Sequence, residues 1–132
     1  MFITITTGLL GAILGMSFAD IDLAPPLPVK HRSAWTHGLP IPLAVWWLIG
    51  QYPAARTFAG VFLITYALHL LFDMFPRRWK GSALINLHPV PLSLPAFVSF
   101  FYLLAGVVSA LWFSARIMGY DTWLVALYHR FG

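Results

Sequence analysis

Two long stretches of this chain carry no charged side chain, Phe2 to Ala19 and Ala96 to Ala115. Hydrocarbon offers no hydrogen-bonding solvent, so an apolar run of about 20 residues crosses it as a helix that satisfies its own backbone. Only 9% of the residues are charged, against about 25% in an ordinary soluble domain. The pattern predicts an all-α integral membrane protein, one transmembrane domain over 1–132.

Two further runs complete the expected bundle. Leu39 to Tyr52 is apolar but short, and reaches spanning length only if its helix starts near Ser33 to Thr36, with Pro40 and Pro42 in the opening turns. That choice places His37 inside the helix. Pro53 suits a first helical position, and the third run continues from it to Phe75. The expected spans are therefore 2–19, 35–51, 53–75 and 96–117, in one up-down bundle of about four helices. Residues 120–131, with Trp123, Tyr128 and Arg130, read as a short amphipathic tail at the interface. Ser17-Phe18-Ala19 imitates a signal-peptidase site, but no basic residue precedes the apolar run, so a retained helix is expected. Gly11, Gly15 and Ala19 form a small-residue strip where another helix can approach closely.

The formal charge is +4, yet no basic face or run is long enough to track phosphates, so nucleic acid is an unfavoured partner. Basic side chains beside apolar runs fit anionic lipid headgroups better. With four crossings, Lys30, Arg32, Arg77, Arg78 and Lys80 share one side and Arg56, Arg116 and Arg130 the other. The positive-inside rule then sets the first side in the cytoplasm. The absence of cysteine excludes thiolate metal sites, iron–sulfur clusters and cysteine nucleophiles.

Three of the four acids, all of them aspartates, and three of the five histidines fall in short clusters. These are Asp20-Ile21-Asp22 after the first span, His31-Arg32 with Thr36-His37 before the second, and His69 with Asp73 late in the third. Threading the chain through the bilayer brings all of them to one membrane face. His69 and Asp73 are one helical turn apart and share a face. Asp20 and Asp22 point the same way if the chain there is extended. Imidazole and carboxylate together suit one or two divalent ions such as Zn²⁺, Mn²⁺ or Mg²⁺. The expected metal ligands are Asp20, Asp22, His31, His37, His69 and Asp73. Arg32 is expected to orient an anionic oxygen, and Thr36 to hydrogen-bond a ligand.

At these residues the chain resembles the YdjM-like family of inner-membrane-associated metal-dependent hydrolases, which also carries a LexA-binding label. That family shows Asp-x-Asp after its first helix, an His-Arg motif ending in Thr-His, and His-x-x-x-Asp late in a following helix. The clusters match in that order over roughly Gly8 to Leu92. Three residues, Ser33-Ala34-Trp35, separate His-Arg from Thr-His where the family has two, and Gly38 stands where a serine commonly follows. The extra residue turns His37 by about 100° if the stretch is helical, whereas a loop absorbs it. The resemblance implies a metal-dependent hydrolase of the inner membrane, and the depth of the clusters points to phosphate or ester groups at headgroup level. Two rivals use the same residues. A non-enzymatic subunit would pack its small-residue and aromatic faces against protein partners, and a proton or ion carrier would use His69 and Asp73 as a relay.

Overall fold

A computed structural model of the chain describes residues 2–23, 32–75, 84–87, 89–90, 92–120 and 122, without the side chains of 22 and 23. The expected ligand His31, the side chain of the expected ligand Asp22, and the tail 120–131 apart from residues 120 and 122 lie outside the described residues. The regular elements described are all helical, apart from isolated bridges. Helix α1 covers Phe2–Phe18 and runs into a 3₁₀ turn at Ala19–Leu23. Helix α2 covers Pro40–Leu48. A 3₁₀ turn at Pro53–Ala55 leads into α3, Arg56–Met74. Helix α4 covers Ala96–Met118 and ends on Gly119, whose φ of 80° is the left-handed conformation that closes a helix. Three segments, Phe2–Ile21, Pro53–Met74 and Ala96–Met118, are long and apolar enough to cross a membrane.

The second expected span is corrected. Residues 35–51 do not form one helix, because Ser33–Leu39 is a series of turns and α2 starts only at Pro40. At 1.5 Å per residue, nine residues reach about 14 Å, half the hydrocarbon thickness. Pro40 and Pro42 fall among the first N–H positions of α2, where a helix has no internal acceptor to lose. They initiate a helix well but offer nothing for extending it backward. His37 consequently lies in a turn, not in a helix.

Helices α1 and α3 run parallel. A Cβ on Gly11 would stand 2.6 Å from the Phe58 carbonyl oxygen, and one on Gly15 would strike the Phe62 carbonyl. Both glycines and Ala19 are buried, so the small-residue strip is used as its spacing predicts, against a helix of the same chain. Helix α4 returns antiparallel to α3. Ser114 Oγ donates to the Gly60 carbonyl at 2.9 Å, while Gly106 faces Leu70 further up. Between these helices, residues 38–50 descend with Gly38 beside Gly106 and Gly50 beside Ile117. The core comprises the inward faces of α3 and α4, centred on Leu63, Tyr66, Leu70, Leu103 and Ala110, each fully buried.

The segment before α4 forms a small polar clasp. Asn86 bridges Ser33 on one side and Ser93 on the other. Asn86 N–H donates to the Arg32 carbonyl and Ala34 N–H to the Asn86 carbonyl, both at 2.9 Å. Buried Ser99 of α4 accepts from Ile85 N–H and donates to the Leu94 carbonyl. The clasp thereby fixes the backbone on which Arg32 sits.

Candidate metal centre

Late in α3, one helical turn separates His69 from Asp73, and the His69 side chain meets the C-terminal end of α1. The carbonyls of a helix's last turn have no partner within the helix. Met16 supplies one of them to His69 Nδ1 at 2.8 Å. A carbonyl only accepts, so the proton of neutral His69 belongs on Nδ1 and Nε2 presents its lone pair. Nε2 lies 3.6 Å from Asp20 Oδ1 and 3.5 Å from Asp73 Oδ2.

His37 reaches the same point from the turn before α2, with no exposed surface. Its Nδ1 is 2.9 Å from Thr36 Oγ1. The Thr36 hydroxyl donates to the Ser33 carbonyl at 3.3 Å and therefore accepts from Nδ1–H. The same tautomer follows, with His37 Nε2 presented 3.4 Å from Asp73 Oδ2. The two imidazoles meet edge to face at 5.7 Å between centroids.

Two tyrosines, one from each long core helix, hold this turn. Tyr66 donates its hydroxyl proton to the Thr36 carbonyl at 2.7 Å, with the Gly38 carbonyl at 3.1 Å, and accepts from Gly38 N–H at 2.9 Å. Tyr102 donates to the Ala34 carbonyl at 2.6 Å. A buried tyrosine needs a partner for its O–H, and here the partners are the backbone groups on either side of His37. Gly38 is explained by the same packing, since a Cβ there would run into the Tyr102 ring.

Arg32 has φ 61°, a conformation that costs a non-glycine residue about 1–3 kcal/mol. The clasp holds it there, and its guanidinium reaches Asp73 Oδ1 at 3.1 Å. Arg32 Nε and Asp73 Oδ2 are both buried with no hydrogen-bond partner among the described residues. Buried polar atoms are hydrogen-bonded in the great majority of cases, so these two stand out as sites open to a further polar partner.

Asp20, His37 and His69 thus form a group that could hold a metal ion, their ligand atoms all within 4.8 Å of one another. Asp73 faces both imidazoles, Thr36 bonds His37, and Arg32 bonds Asp73. Of the eight site residues expected from sequence, the structure brings six together. The backbone of Asp20 and Asp22, extended in the sequence reading, lies in the Ala19–Leu23 3₁₀ turn. Tyr66 and Tyr102 are the site residues that sequence reading misses. The signal was present: a tyrosine in mid-span has a hydroxyl that must be satisfied away from water.

In comparison with known proteins, no family model, curated protein or solved structure matches this chain.

Proposed function

We propose that this chain is a membrane-embedded, metal-dependent hydrolase acting on phosphate or ester groups at headgroup level. Asp20, His37 and His69 would hold a divalent ion, with Asp73 Oδ2 completing the set. The observation that carries this reading is the spacing of the donor atoms. Two Nε2 lone pairs and a carboxylate oxygen face one another at 3.4 and 3.5 Å, with Asp20 Oδ1 at 3.6 Å from His69. Ligands about 2.0–2.1 Å from a tetrahedral Zn²⁺ stand about 3.4 Å apart. Imidazole and carboxylate atoms at that spacing are held together by a proton or by a metal cation lying among them, and the convergence of several such atoms on one point favours the metal.

When bound, such an ion lowers the pKa of water and polarises a phosphoryl or carbonyl oxygen. The remaining roles belong to the chain. Asp20, whose side chain is 43% exposed, marks the open side, and His37 the closed one. Arg32 orients an anionic oxygen, because its buried Nε–H is a donor lacking an acceptor. Thr36 and Tyr66 position His37. The resemblance to the YdjM-like family supports the same reading, and the flanking basic residues favour placing this face on the cytoplasmic side of the inner membrane.

The test is metal content and turnover of nitrophenyl phosphate, bis-nitrophenyl phosphate and nitrophenyl acetate, for wild type and Asp73→Ala. The expected result is one bound ion per chain, turnover that a chelator abolishes, and metal affinity at least tenfold weaker in the variant. Equal stoichiometry and affinity in both proteins would remove Asp73 from the ligand set. A metal-loaded wild type that turns over none of the three esters would overturn the hydrolase reading.

A further inference from the structure

An apolar slot of about 380 Å³ lies between α1, α2 and α3. Its walls are Leu14, Phe18 and Ile21 from the first segment, one face of the second from Ile41 through Ala44 and Leu48, and Phe58 with Phe62 from α3. No polar atom lines it. Along α2 it extends from Ile41 to Ile49, about 12 Å at the helical rise. One end is bounded by Phe18 and Ile21, which bracket Asp20 in the sequence. Ile41, on the opposite wall, is four residues beyond His37.

The outer face of α1 is equally apolar, with Leu9, Leu10, Ile13 and Leu14 all exposed. In a chain that crosses the bilayer those side chains meet lipid, and the slot opens beside them. We propose that the slot takes one acyl chain of an anionic phospholipid, with the lipid's phosphate at the Asp20–His37–His69 group. This deepens the hydrolase reading and rests on it for the identity of the head-end chemistry.

Two observations select this occupant. The slot's uniform apolarity and its length of several methylenes suit an alkyl chain, which gains about 0.8 kcal/mol for each buried CH₂. With the proposed divalent ion in place, the charge at its head end suits a phosphate. Asp20 and Asp73 against Arg32 leave the described cluster at −1 with neutral imidazoles, and a divalent ion would reverse that to +1. Arg32 then adds the donor fork that phosphate oxygens accept. A soluble phosphate ester would match the head end but leave the slot unfilled.

The experiment compares hydrolysis of dodecyl phosphate and ethyl phosphate by the full chain in phosphatidylcholine nanodiscs. It uses wild type and two slot-filling variants on opposite walls, Ala44→Phe and Leu14→Trp. Retention of dodecyl phosphate is measured in parallel by native mass spectrometry. Wild type is expected to favour the dodecyl ester in kcat/KM by at least tenfold. Each variant that folds is expected to cut that ratio about tenfold and to lose the retained dodecyl phosphate. Turnover of both esters with equal kcat/KM overturns the slot while leaving the hydrolase reading intact. Retention of dodecyl phosphate that the variants abolish, without turnover of either ester, supports the slot and overturns the hydrolase reading. Retention that neither variant reduces overturns the slot. If both variants fail to fold, the wild-type chain-length ratio decides alone.

Discussion

Removing one oxygen atom, in Tyr66→Phe, separates positioning of His37 from direct ligation. The hydroxyl donates to the Thr36 carbonyl and accepts from Gly38 N–H, and Gly38 is buried. Its loss strands one buried donor, at about 1–3 kcal/mol, and forfeits a hydrogen bond to a carbonyl worth about 1 kcal/mol, giving about 2–4 kcal/mol in all. The ring still fits, so no cavity is added. The turn carrying His37 relaxes, and metal affinity should fall by about tenfold, the lower end of what orienting partners contribute. At an ion concentration 100 times the wild-type Kd, metal stabilises wild type by about 2.7 kcal/mol and a tenfold weaker binder by about 1.4 kcal/mol. Calorimetric titration with Zn²⁺ and thermal unfolding with and without the ion, both in mild detergent, measure the two effects. Tyr52→Phe, at an exposed tyrosine, is the control and should change neither. Wild-type metal affinity in Tyr66→Phe would refute the claim that α3 positions His37 through the backbone.

Three other substitutions probe separate supports of the site. Gly15→Val drives a branched side chain into the Phe62 backbone, so α1 must move off α3 and take Asp20 away from His69. Overpacking of this kind costs about 1–3 kcal/mol, and a drop in both melting midpoint and metal content should register it. Gly38→Ser, which introduces the residue common in the YdjM-like family, should lower the melting midpoint through collision with Tyr102. Combined with Tyr102→Ala, the loss should be smaller than the sum of the two single losses, and a purely additive double variant would argue against the contact. Arg32→Lys keeps one positive charge but lacks the planar fork. Metal stoichiometry should hold while KM for an anionic ester rises about tenfold; an unchanged KM would take Arg32 out of substrate orientation.

The three long helices were legible because charge-free length is a demanding pattern, and hydrocarbon leaves the backbone few ways to satisfy it. Gly11, Gly15 and Ala19 announced a close helix contact, though not that α3 would supply it. The second span misled because apolar content alone does not lengthen a helix. Pro40 and Pro42 set where α2 begins, and the preceding turns are held by tyrosines distant in sequence. The meeting of Asp20, His37, His69 and Asp73 followed from alternating helix direction and the i, i+4 spacing of the last two. The position of His37 did not, because its extra upstream residue is absorbed by turns tied to Tyr66, Tyr102 and Asn86. Those are long-range hydrogen bonds, and no local pattern encodes them.

The central claim is that imidazole and carboxylate groups from the 3₁₀ turn after α1, from α3 and from the turn before α2 surround one cation. Element analysis of the purified chain, wild type beside His69→Ala, tests it most directly. The account predicts about one equivalent of a divalent metal in wild type and a loss of most of it in His69→Ala. Metal-free wild type after reconstitution with Zn²⁺, Mn²⁺ and Mg²⁺, or equal metal in both proteins, would contradict it.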